Sequence, residues 1–209
     1  MNSSFRPSAK QIDALKELSH LGMNHATSAL SQLLGQPLTL AVPEVSILPL
    51  PDISQHIGGK KELVAGLFLK VRGIAKGNIL ILLPRKSVIS IIQMLTGRKT
   101  AQTMILSEED ASALKELANI LASAYLTALS NLLGIPLIPS IPELAFDMAG
   151  AVVEYLVIEL GKMGSETMAV ETRFENRENE VSGRLILFVD PKSTPAFLNS
   201  SQSHLLRDE

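Results

Sequence analysis

The 209-residue chain contains no cysteine, which removes disulfides, thiolate metal sites and cysteine nucleophiles from consideration. It carries no strong charge of either sign. A formal net charge of -2 offers no electrostatic reason to expect nucleic acid or an acidic lipid surface as partner. Long apolar runs are missing too. "NILILLP" is too short to span a bilayer, and "AGAVVEYLVIELG" carries Glu154 and Glu159, so no membrane span is expected. The opening "MNSSFRPSAK" lacks the apolar core of a secretory leader. With 46% hydrophobic and 19% charged residues, the expectation is a soluble cytoplasmic protein able to bury a sizeable core.

Several common chemical signatures are absent. His20 and His25 stand five apart, which points them to different sides of a helix, and no HExxH spacing occurs. No metal site is expected. "GGKK" at 58–61 lacks the GxxxxGK[ST] spacing of a phosphate loop and reads as a turn. Neither GxSxG nor GxGxxG is present, so the usual nucleophile and dinucleotide signals are silent.

What the chain does contain is a copy of itself. Shifted by 99 residues, "DALKELSHLGMNHATSALSQLLGQPLTLAVPEV" (13–45) lies without a gap over "SALKELANILASAYLTALSNLLGIPLIPSIPEL" (112–144), with about half of the positions identical. Two copies do not make a solenoid. They imply two repeats, about 8–100 and 107–198, related by a pseudo-two-fold and sharing one core in a single domain. The segment after 198, rich in Ser and Asn, reads as a disordered tail.

Each repeat opens with a punctuated helix. Ser107 is an N-cap candidate, "SEED" supplies acids for the first turn, and Ser8 with Gln11 spells a capping box. Leu114, Leu117, Leu121, Tyr125, Ala128 and Leu132 recur at helical spacing. Gly35 with Pro37 and Gly134 with Pro136 end the two helices. The period then changes. "ELVAGLFLKVRG" with "KGNILILLP", and "ETMAVETRFE" with "VSGRLILFVDP", read as hairpins. One further strand is expected after each helix, at 45–49 and at 137–141. Short helices are expected at "PDISQHI", "PRKSVISIIQMLTG", "AGAVVEYLVIELG" and "PKSTPAFL". The fold class is α+β, with a largely antiparallel six-stranded sheet and two long helices packed against it.

Glu116 and Asn119 are three apart and share one helical face, away from the leucine ridge. By themselves they describe a solvated surface. In context they match a signature. Ser112, Glu116 four residues on, Asn119 three further and Pro142 twenty-three beyond resemble the motif of the CheC family of chemotaxis phosphatases, which includes CheX and FliY. The first repeat carries Asp13, Glu17 and Pro43 in register but has His20 where the motif has Asn. The resemblance runs from about residue 8 to about 195 and is greatest to CheC.

That resemblance implies a duplicated CheC-like fold and hydrolysis of the aspartyl phosphate on a CheY-like receiver domain. The chain would need no cofactor of its own, because the receiver brings Mg²⁺, a Lys and the activated acyl phosphate. Asn119 would orient the attacking water, since an amide both donates and accepts hydrogen bonds. Glu116 would dock on the receiver's Lys. An exposed carboxylate is a weak general base near neutral pH. Glu17 and His20 would form a second, degenerate site, inactive or much weaker. The alternative is a non-catalytic module binding the receptor deamidase CheD. A monomer is expected.

Overall fold

The computed structural model describes residues 6–57, 61–97, 106–162 and 164–205. The same order of elements occurs twice. The first series is α1 (Ala9–Leu34), β1 (Thr39–Leu40), β2 (Glu44–Pro49), α2 (Leu50–Ile57), β3 (Leu63–Gly73), β4 (Gly77–Pro84) and α3 (Arg85–Thr96). The second is α4 (Glu108–Leu133), β5 (Leu137–Pro139), β6 (Glu143–Met148), α5 (Ala149–Gly161), β7 (Glu166–Asn176), β8 (Val181–Val189) and α6 (Thr194–Leu205).

Helix boundaries follow the local chemistry. Ser8 accepts from the Gln11 N–H at 3.3 Å while the Ser8 N–H donates to Gln11 Oε1 at 2.9 Å, closing the expected capping box. Ser107 and Asp110 do the same at α4, each bond at 3.1 Å. Both long helices have 26 residues and end on a left-handed glycine, Gly35 at φ 66° and Gly134 at φ 67°. That conformation costs a residue with a Cβ about 1–2 kcal/mol.

Among the described residues the sheet has eight strands in the order β1-β7-β8-β4-β3-β5, with β2 also on β7 and β6 also on β3, all antiparallel. The expected count was six. The difference lies at the two edges, where each ribbon is broken in two. Pro43 sits in the break between β1 and β2, and Pro142 in the break between β5 and β6. Proline has no N–H to give the ladder, so the pairing with β7 and with β3 lapses there and resumes. The second-half strand expected at 137–141 divides accordingly: β5 takes residues 137–139, and β6, at Glu143–Met148, was not anticipated.

The edges also show that the repeats are interwoven. β1 and β2 from the first half pair with β7 of the second, and β5 and β6 from the second pair with β3 of the first. The pseudo-two-fold passes between the central neighbours β4 and β8. The helices lie on both faces. α1, α3, α4 and α6 bury the main core against one face, and α2 and α5 bury a second cluster against the other. α6 continues to Leu205, past residue 198 where the sequence reading placed a disordered tail. Phe197 and Leu198 are buried in the main core and tether it.

α1 and α4 pack on each other, and their contact breaks the repeat symmetry. Tyr125, fully buried, lies over Gly22, where a Cβ would stand only 3.1 Å from its ring. The 99-residue shift maps this pair onto Leu121 and Ala26, both buried in the same cluster. At these two positions the first copy has Gly22 and Ala26, and the second has Leu121 and Tyr125. Gly22→Leu is expected to cost about 1–3 kcal/mol through overpacking, only partly offset by about 1 kcal/mol of helix propensity. Adding Tyr125→Ala should recover most of the loss, as read from urea unfolding midpoints. A double variant no better than the single one would show that the two positions do not share space.

Candidate functional site

The outward side of α4 is set by what the other side buries. Leu114, Leu117, Ala118, Leu121, Ala122 and Tyr125 are fully buried, which turns Ser112 and Glu116 out to solvent and leaves Asn119 half-buried on the flank. Glu116 and Asn119 stand one turn apart, and among the described residues neither has a hydrogen-bond or ionic partner. An acid and an amide are therefore free to meet an external molecule, on a helix pinned by its capping box and its packing against α1.

The distance in sequence from Asn119 to Pro142 also has a physical basis. Fifteen helical residues to Gly134 rise about 22 Å, and eight extended residues return about 26 Å. β5 and β6 contact α4, so the chain doubles back along the helix for a comparable length. The proline then interrupts the edge strand. Ser140 spans the break by donating its N–H to the Lys70 carbonyl at 2.8 Å and accepting the Lys70 N–H on its Oγ at 2.9 Å. In the first copy Pro43 is buried, Asp13 and Glu17 are exposed, and His20 is half-buried. The His20 ring has a buried Nδ1 without a hydrogen-bond partner. Asp13, Glu17 and His20 thus repeat the exposure of Ser112, Glu116 and Asn119, with an imidazole in place of the amide.

His20 and His25 diverge. His25 lines a groove of about 510 Å³ on the outer side of the helix pair, with Leu21, Ala124, Thr127 and Asn131. Among the described residues no three His, Asp or Glu side chains gather where they could hold a metal ion. "GGKK" lies mostly outside the described residues; Lys61 is exposed.

A second cluster of charge lies away from the motif helices, and the sequence patterns above do not point to it. On the α2/α5 face of the sheet Glu171, only 2% exposed, accepts two hydrogen bonds from Arg184 at 2.8 Å each and one from Arg173 at 3.0 Å. His56 Nε2 lies 3.5 Å from the same carboxylate. Arg184 also donates to the Ile57 carbonyl at the end of α2, at 2.6 Å. Burial pushes the Glu171 carboxyl up, but the hydrogen bonds and charges of Arg184 and Arg173 outweigh it and hold the group below its ordinary value. The cluster borders a cleft of about 520 Å³, on the opposite face from Glu116 and Asn119. Its arginine fork is satisfied by the carboxylate and a helix-end carbonyl, an arrangement that ties α2 to the sheet. The readable signal is "ETR" directly after the apolar "MAV", which puts Glu171 and Arg173 on one face of the strand.

The fold and site together define an interwoven α+β duplication that presents an unpartnered acid–amide pair on a long helix. The CheC-like family model matches residues 109–144, the segment holding Ser112, Glu116, Asn119 and Pro142. The CheY-P phosphatase CheC of Bacillus subtilis is 33% identical over 184 residues, covering 87% of this chain and 88% of that protein. Among solved structures, Thermotoga maritima FliY aligns with a TM-score of 0.68 at 18% identity, covering 96% of this chain and 100% of that one. The chemotaxis protein CheX of Desulfovibrio desulfuricans aligns at 0.56 and 14% identity, covering 83% and 99%. The chain belongs to the CheC-like family.

Proposed function

We propose that this chain accelerates hydrolysis of the aspartyl phosphate of a CheY-like receiver domain, with Asn119 orienting the attacking water and Glu116 docking on the receiver. The observation that carries this reading is the unpartnered pair of exposed Glu116 and half-buried Asn119, one turn apart on a capped helix. The relationship to a B. subtilis protein named as a CheY-P phosphatase supports it.

An acyl phosphate is already activated, and the receiver supplies Mg²⁺ and a Lys to neutralise charge on the transferring group. What remains is to hold a water in line with the breaking P–O bond, a task of positioning rather than of acid–base strength. The Asn119 amide can accept from that water and donate to a phosphoryl oxygen. Glu116, one turn earlier, pairs with the receiver's Lys. An exposed ion pair of this kind contributes only about 0.2–1 kcal/mol, so its role is registration of the helix over the receiver's site. Such a protein works in the cytoplasm, alongside its receiver.

Mixing the full chain with a phosphorylated CheY-like receiver and following phosphate release tests the reading. Release faster than the receiver's own decay is the expected result. No acceleration, together with tight binding to CheD, would replace catalysis with a binding role.

A further inference from the structure

Resting on the docking mode above, we propose that the first repeat is a phosphoryl acceptor: His20 Nε2 takes the phosphoryl group from the receiver's aspartyl phosphate rather than directing a water at it. The 99-residue shift puts His20 on Asn119 and Glu17 on Glu116, and both sit on helices of the same length with the same type of cap. Glu17 is exposed and unpartnered among the described residues, so the docking acid is retained.

The ring's own environment distinguishes its two nitrogens. Nδ1 is the one side-chain nitrogen or oxygen, among the described residues, that is buried without a hydrogen-bond partner. Nε2 has no partner either but is not sealed, so it is the nitrogen open to solvent. A buried polar atom left unsatisfied in a folded protein calls for a reason. A histidine kept only to fill space would serve as well as an apolar residue, without that penalty. Here Nδ1 is sealed inside and Nε2 is turned to the surface that the amide occupies in the other repeat.

Chemistry follows from that placement. The imidazole reaches further from the backbone than a carboxamide, toward the place where Asn119 would hold its water. With the proton on Nδ1, the Nε2 lone pair forms the N–P bond as the bond between phosphorus and the aspartyl oxygen breaks. The aspartate leaves as a carboxylate, stabilised by the receiver's Mg²⁺ and Lys, and the ring keeps its Nδ1 proton. No oxidant, reductant or further reactant is needed. The phosphoimidazole is later hydrolysed by solvent or returns its group to the receiver.

The test uses the full chain carrying Asn119→Ala, so that hydrolysis in the second repeat does not drain the label, and a CheY-like receiver with radiolabelled phosphate on its aspartate. The expected result is label on this chain that survives alkali and is lost in acid, and that disappears entirely when His20→Ala is added. His20→Asn in the same background, which brings in the residue that the second repeat carries at the equivalent place, should exchange the label for restored phosphate release. A residue with only a structural role would not produce that exchange. No label on Asn119→Ala while wild type speeds phosphate release overturns the acceptor role and leaves the hydrolytic reading standing. Label on His20 without any wild-type acceleration does the reverse. Label that persists in the His20→Ala variant also overturns the proposal.

Discussion

Asn119→Ala is expected to lower the receiver-directed rate by on the order of 10²-fold, the loss typical when a positioned reactant drifts by about an ångström. The effect should appear in kcat rather than KM, because the amide acts on the water and Glu116 on the docking. The fold should not suffer. Asn119 is half-buried without a partner among the described residues, and alanine is the better helix former by up to about 0.7 kcal/mol, so the melting temperature should hold or rise slightly. Asn119→His, which imports the first repeat's residue, should likewise lose the water-directed release and instead take the phosphoryl group onto the new imidazole. His20→Ala alone should change steady phosphate release little, since turnover resides in the second repeat. Phosphate release from a phosphorylated receiver measures all three variants. Full activity in Asn119→Ala would sink the assignment of the water-orienting residue.

The second large effect concerns stability. Glu171→Ala removes the carboxylate that satisfies Arg184 and Arg173 and leaves a largely buried guanidinium without its counter-charge. Breaking one side of such a pair costs about 3–5 kcal/mol. For a chain of this size that corresponds to a fall in melting temperature of roughly 10 °C. Replacing both partners, Glu171→Leu with Arg184→Met, should recover much of the loss, because two apolar side chains leave no orphaned charge. The pair also carries a pH dependence. The Glu171 carboxyl is held below its ordinary value in the folded protein, so its contribution is present above the unfolded carboxylate value of about 4.3 and fades as pH falls through the lower folded one. Urea midpoints taken from pH 6 downward should decline more steeply in wild type than in the Leu–Met variant. A Glu171→Ala protein as stable as wild type would mean that the cluster is solvated in solution and does not tie α2 to the sheet.

Both predictions rest on residues of very different legibility. Glu116 and Asn119 were readable because their evidence is local: one helix, one spacing, one duplicated segment. The caps at Ser8 and Ser107 and the stops at Gly35 and Gly134 were readable for the same reason, since each is satisfied within a few residues of chain. The Glu171–Arg184 pair was not. Its partners sit on neighbouring strands, and only the register that sets Arg173 across from Arg184 brings the carboxylate between them. The breaks at Pro43 and Pro142 were present in the sequence as motif letters. Their effect on the edge strands depends on the ladder that each proline interrupts.

By itself, the sequence determined that the chain is a duplication, where its helices begin and end, which helix bears an acid–amide pair, and that the first copy has an imidazole in place of the amide. Helical periodicity and capping are short-range, so the order of residues suffices to specify them. The tertiary structure alone decided that each repeat lends its edge strands to the other's hairpin, that Gly22 makes room for Tyr125, and that His20 is held with Nδ1 sealed and Nε2 open. These depend on pairing and packing between segments roughly a hundred residues apart, where loop closure leaves many arrangements open and only the burial of a common core selects one.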